Sequence, residues 1–183
     1  MKLIFSAALL FVTIGFWSCD GGHPSEQKED ATAQEIDLSS YGLPIKIKTP
    51  SASPNITKDE FLGDITLVIV DENYYLQIAM SQVPVKDIQR IKAEALEEVM
   101  KLKSEKFSAI IQEDSNGFVY EKTFERDSTK YYDFRYVRVK GEQLYTMSTT
   151  TTTKPPHIKT PLSKQQVLKI YGLIKEEKKD MEK

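Results

Sequence analysis

Residues 64–70 read Asp-Ile-Thr-Leu-Val-Ile-Val, and residues 74–80 read Tyr-Tyr-Leu-Gln-Ile-Ala-Met. β-Branched and aromatic side chains at this density favour extended chain. On the first run, Ile65, Leu67 and Ile69 fall on one face of a strand and Thr66, Val68 and Val70 on the other. A strand apolar on both faces requires cover on both sides. With Asp71, Glu72 and Asn73 as the connection, Val70 is expected opposite Tyr74 and Val68 opposite Leu76.

The rest of the chain supplies elements of both kinds. Ile45 to Lys48 alternate apolar and basic, and Pro50, Ser51, Ser53, Pro54 and Asn55 make a loop. Pro84 is expected to open a helix running to about Glu105, with Ile88, Ile91, Ala95, Val99 and Leu102 as its buried stripe. Residues 107–112 and 118–124 read as strands around the turn Asp114-Ser115-Asn116-Gly117. Residues 131–139 and 142–149 flank Lys140-Gly141, a two-residue loop that sets Tyr136 opposite Tyr145, Phe134 opposite Met147 and Val137 opposite Leu144. Five threonines, 149–153, read as an edge stretch. Thr160-Pro161 then caps a last helix with Val167, Ile170, Tyr171 and Ile174 on its buried stripe.

Forty per cent of the 183 residues are hydrophobic and 28% are charged, a composition that buries a core and argues against global disorder. A net charge of −2 leaves no nucleic-acid footprint. One cysteine and two histidines exclude a disulfide within the chain and a zinc site of the usual kind; neither a metal nor a cofactor is expected.

The single cysteine is Cys19. It follows a basic Met1-Lys2 start and an apolar run over residues 3–16, too short for a stable membrane span but right for a secretory signal. Ser18-Cys19 ends that run and Asp20-Gly21-Gly22 follows. This resembles the signal of a bacterial lipoprotein of the Bacteroidota type, in which the cysteine is acylated by palmitate-class chains and becomes the mature N-terminus. Phe16 and Trp17 are bulkier than the residues usual at those two positions. The resemblance implies a signal peptide over 1–18, a membrane held through acyl chains on Cys19, and a place in the cell envelope, on the outer membrane. Residues 21–35 carry no large apolar side chain, so 19–35 is expected to be a flexible tether of about 20–25 Å, leaving 36–183 as a single domain.

The expected order of strand, hairpin, helix, hairpin, hairpin, helix is α+β, with an antiparallel sheet flanked by helices on both faces. Together with segments such as Tyr41-Gly42-Leu43-Pro44-Ile45-Lys46-Ile47 and Val167-Leu168-Lys169-Ile170-Tyr171-Gly172-Leu173, it resembles the PsbP-like α/β/α fold, named for the extrinsic P subunit of photosystem II. That resemblance implies a binding or assembly factor without catalysis and transfers no functional residue.

A nucleophile needs a base beside it. His23 lies in the tether and His157 in a proline-rich connector. Asp59, Glu60, Asp64, Asp71 and Glu72 read as loop charges, and Lys122, Arg126, Lys130, Arg135, Arg138 and Lys140 as a weak solvated stripe. Tyr120, Phe124, Tyr132, Phe134, Tyr136 and Tyr145 could share one sheet face, with Phe118 beside them: a core if a helix covers it, a platform for a ligand if open. The expected interaction surface, for a protein partner, combines Tyr131, Tyr132 and Tyr136 with Arg126, Arg135 and Arg138. Asp127-Ser128-Thr129 matches a short O-glycosylation pattern at Ser128. The expectation is thus a lipid-anchored binding or assembly module; the alternatives are a carboxylate-based envelope enzyme and a small-ligand carrier using the aromatic face.

Overall fold

The computed structural model describes residues 33–50, 53–71, 74–82, 87–103, 105–124, 127–149 and 162–180. The chain divides into two units, Met1–Asp30 and Ala31–Lys183. The expected signal peptide, Cys19 and most of the expected tether lie outside the described residues. The second unit is α+β: a seven-stranded antiparallel sheet, a two-stranded ribbon and two helices.

The ribbon pairs β1 (Gln34–Asp37) with β2 (Lys46–Thr49). β1 starts two residues before the expected tether boundary, because the backbones of Gln34 and Glu35 pair with Thr49 and Lys48, and Glu35 takes a 2.7 Å ion pair from Lys46. The sheet runs in the order β3 (Asn55–Phe61), β4 (Asp64–Asp71), β5 (Tyr74–Gln82), β9 (Gln143–Ser148), β8 (Asp127–Lys140), β7 (Gly117–Phe124) and β6 (Glu105–Glu113). Between β5 and β6 lies α1 (Ile88–Lys101), and α2 (Lys164–Asp180) closes the chain.

Three expectations about the strands are corrected. Asn55 does not belong to a loop: β3 is a strand with one half-buried inward residue, Ile56, among otherwise exposed side chains. Its polar residues show no alternation, and it forms because β4 offers it a backbone edge. In the β4–β5 hairpin, Val70 pairs with Tyr75 and Ile69 with Leu76, one residue away from the expected register. The slip places Ile65, Leu67 and Ile69 beside Met80, Ile78 and Leu76 on one core face, which the other register would have divided. In the β8–β9 hairpin the loop is Gly141-Glu142, so Tyr136 meets Met147 and Arg138 meets Tyr145. That shift of two keeps every side chain on its face. β9 pairs on both sides and ends at Ser148, before the threonine run expected as an edge stretch, of which Thr150 to Thr153 lie outside the described residues.

The helices are shorter than expected. α1 starts at Ile88 with Asp87 accepting the backbone N–H of Arg90 at 3.1 Å, and it ends before Glu105, which opens β6. Pro84 lies outside the described residues. Only Val99 of its expected stripe is buried. α2 is capped by Ser163, whose hydroxyl accepts from the Gln166 N–H (3.3 Å) while the Gln166 side chain accepts from the Ser163 N–H (2.8 Å), a reciprocal capping box. Its stripe Val167, Ile170, Tyr171 and Ile174 is buried as the spacing requires.

Two clusters hold this unit together. The larger joins Leu38, Leu43 and Ile47 of the ribbon region, Ile65, Leu67 and Ile69 of β4, Leu76, Ile78 and Met80 of β5, Phe134, Tyr136, Tyr145 and the stripe of α2. In the smaller, Val99 of α1 meets Phe118 and Tyr120. Val119 belongs to the first and its neighbours to the second, so β7 serves both by simple alternation. Gly117 starts β7 where a Cβ would stand 2.3 Å from the Arg135 carbonyl oxygen, and no side chain fits there.

Candidate functional site

The β7–β8 register divides the aromatic residues. Val119 pairs with Phe134 and Tyr120 with Asp133, so Tyr120 turns away from Phe134 and joins Phe118 under α1. Phe134 and Tyr136 instead pack edge-on against the Tyr171 ring, at centroid distances of 5.6 and 5.8 Å. The expected single aromatic face therefore does not exist. Tyr120, Phe134, Tyr136, Tyr145 and Phe118 are all core, and the open-platform reading loses its surface.

The expected interaction surface breaks up in the same way. Tyr131 and Arg135 alternate along β8 with Tyr132, Tyr136 and Arg138, so the residues point to two sides. Tyr136 is 3% exposed and Arg138 8%, which removes both from any surface. Tyr131, Tyr132 and Arg135 are half-buried. Arg126 and both histidines lie outside the described residues, and Ser128 is exposed near the start of β8.

Lys122, expected on a solvated stripe, is 5% exposed. Its ammonium lies 2.7 Å from Glu105 Oε2 and 2.6 Å from Asp133 Oδ2. The Thr149 hydroxyl donates to the other Asp133 oxygen at 3.0 Å and accepts from the Phe134 N–H. Burial alone would push the Lys122 ammonium down; the Asp133 and Glu105 carboxylates outweigh it and hold it above the ordinary lysine value. The site forms because Lys122 and Asp133 sit diagonally across β7 and β8 while β6 brings Glu105 alongside.

A second ionic centre gathers at the β6–β7 turn. One Asp114 oxygen accepts the backbone N–H groups of Asn116 (2.9 Å) and Gly117 (3.1 Å). The other accepts the Tyr171 hydroxyl (2.8 Å) and the Lys175 ammonium (2.9 Å) from α2. Burial works to raise this carboxyl, but Lys175, the Asn116 N–H and Tyr171 together hold it below the usual carboxylate range. Burial, reinforced by the Asp114 charge, pushes the Tyr171 phenol strongly up. From α1, Lys92 pairs with Glu113 at 2.6 Å and donates to the Asp114 carbonyl, while Gln89 donates to the Ser115 carbonyl at 2.8 Å. Both helices thus grip one turn. The sequence showed Asp114-Ser115-Asn116-Gly117 as a turn; its helix partners, from Lys92, 22 residues from Asp114, to Lys175, 61 residues from it, are a property of the fold.

Exposed apolar side chains gather elsewhere. Phe61 is 73% and Leu62 89% exposed at the β3–β4 turn; Leu62-Gly63 is not among the dipeptides that mark a two-residue hairpin, so the sequence carries no turn signal there. Among the described residues, no group of three or more His, Cys, Asp or Glu could hold a metal ion, and no helix is long and apolar enough to cross a membrane. No protein-family model, curated protein or solved structure matches the chain.

Proposed function

We propose that this chain is a lipid-anchored module of the bacterial cell envelope, tethered to the outer membrane through Cys19, that binds or helps assemble a protein partner and catalyses nothing. The proposed architecture is PsbP-like, with α1 and α2 on opposite faces of the sheet. Alternation along β7 between the two clusters supports that layering.

One observation carries the functional reading: the buried ionic groups are committed to the fold, whereas two of the three large apolar side chains left exposed among the described residues, Phe61 and Leu62, sit together on a hairpin tip, the third being Met100 of α1. Asp114 accepts four donors and Lys122 is clamped by two carboxylates. A carboxylate so engaged is held as an anion and has no free lone pair aimed at a substrate. The convergence of Glu105 and Asp133 is what a carboxylate-based enzyme would require, but here both close on Lys122.

Anchoring is tested on the full chain in a bacterial host. Mass spectrometry of the membrane fraction should find an N-terminal peptide beginning at an acylated Cys19, and Cys19→Ala should release the domain or stop maturation. A membrane-bound mature protein with unmodified Cys19 would refute the anchor.

A further inference from the structure

The β3–β4 turn consists of Leu62 and Gly63, with φ of 52° and 88°. Both angles positive is the two-residue hairpin geometry that Asn-Gly fills without strain. Leucine rarely adopts it, because its Cβ crowds the following carbonyl. Inside the fold Leu62 recovers nothing for this strain, being 89% exposed beside Phe61 at 73%. A side chain both strained and bare at a tip points to a contact outside the chain.

The surrounding charges say what that contact is. Asp59, Glu60 and Asp64 are exposed around the tip, and the neighbouring cation, Lys58, is held by Glu60 at 2.7 Å. An anionic lipid surface would be repelled by this rim. For a second copy paired through β3 the charges decide little: a two-fold contact centred on Lys58 or Asp59 sets that residue opposite itself, while the Asp59-centred register also sets Lys58 opposite Glu60, so a second copy is an outcome the test distinguishes. Building on the binding reading above, we propose that the tip is a docking anchor. Phe61 and Leu62 enter an apolar pocket on a protein partner whose rim carries Lys or Arg, and the acidic residues steer the encounter.

The test uses the full lipidated chain in its host, with a photoreactive diazirine side chain in place of Leu62 or, as a control, of the exposed Glu142. The partner crosslinked at position 62 is identified, purified and titrated against wild type, Leu62→Asn and the charge-reversed pair Asp59→Lys/Asp64→Lys. A reproducible protein adduct at 62 and not at 142 is expected. Leu62→Asn should weaken binding by about 10-fold or more with an unfolding midpoint at or above wild type, since Asn suits the turn. The charge-reversed pair should slow association by about 10-fold at low salt and flatten its salt dependence. Adducts only with lipid or with a second copy would overturn the proposal, as would a partner that binds Leu62→Asn as tightly as wild type. A partner found at 142 alone overturns the tip and leaves the binding reading standing; none at either position counts against both.

Discussion

Replacing Lys122 by methionine keeps an unbranched side chain one atom shorter and removes its charge. The substitution leaves Glu105 and Asp133, whose side chains are 14% and 13% exposed, facing one another across the space the ammonium held. Breaking a buried pair in this way costs about 3 to 5 kcal/mol, because the surviving charges lose their compensation. The carboxylates keep slight access to water and Met gains some apolar burial, so the low end, about 3 kcal/mol at pH 7, is the expectation. For a domain of this size that lowers the unfolding midpoint by roughly 6 to 12 °C.

In wild type the folded-state pKa of Lys122 is raised, so its contribution is fully present below the unfolded lysine value and is lost only as pH rises through the folded one. The whole of it is therefore at stake at pH 7. In the variant the two carboxylates face one another with no cation between them, and their repulsion adds to the deficit. Urea unfolding at pH 7, followed by circular dichroism because the one tryptophan, Trp17, lies outside the described residues, reads that deficit. A value below about 1 kcal/mol would refute the claim that the triad is buried and strongly coupled.

Two further outcomes follow from buried polar groups. The Asp114 carboxyl is held below its usual range, so its contribution is present above the unfolded carboxylate value and disappears as pH falls through the folded one; Asp114→Asn should lower stability at pH 7 and flatten the acid limb of stability against pH, measured by denaturant titrations from pH 7 to 2. Tyr75 is 1% exposed, its hydroxyl has no hydrogen-bond partner among the described residues, and burial pushes its phenol up to about 12; Tyr75→Phe should raise the unfolding free energy by about 1 kcal/mol or more by removing an unsatisfied group, and a loss of similar size in the same urea assay would show that the hydroxyl is bonded after all.

Local patterns fixed what depends on near neighbours. The stripe of α2, the Asp114-Ser115-Asn116-Gly117 turn and the faces of the β8–β9 hairpin were legible because period and turn chemistry act within a few residues. Tertiary structure decided the rest. β3 exists only beside β4, since Asn55, Thr57, Lys58, Asp59 and Glu60 have no strand pattern of their own. The β4–β5 register turned on which face α2 and the ribbon would cover, and both of those lie far away in sequence. Lys122 looked like a surface charge because its partners sit 17 and 11 residues off, on neighbouring strands. The bare tip at Phe61-Leu62 escaped notice because exposure is a property of the folded surface: the same two side chains in an interior hairpin would have been core. Sequence alone states which side chains alternate and where the chain can turn; which of them end up buried, paired or open to a partner is settled only when distant strands come together and take up space.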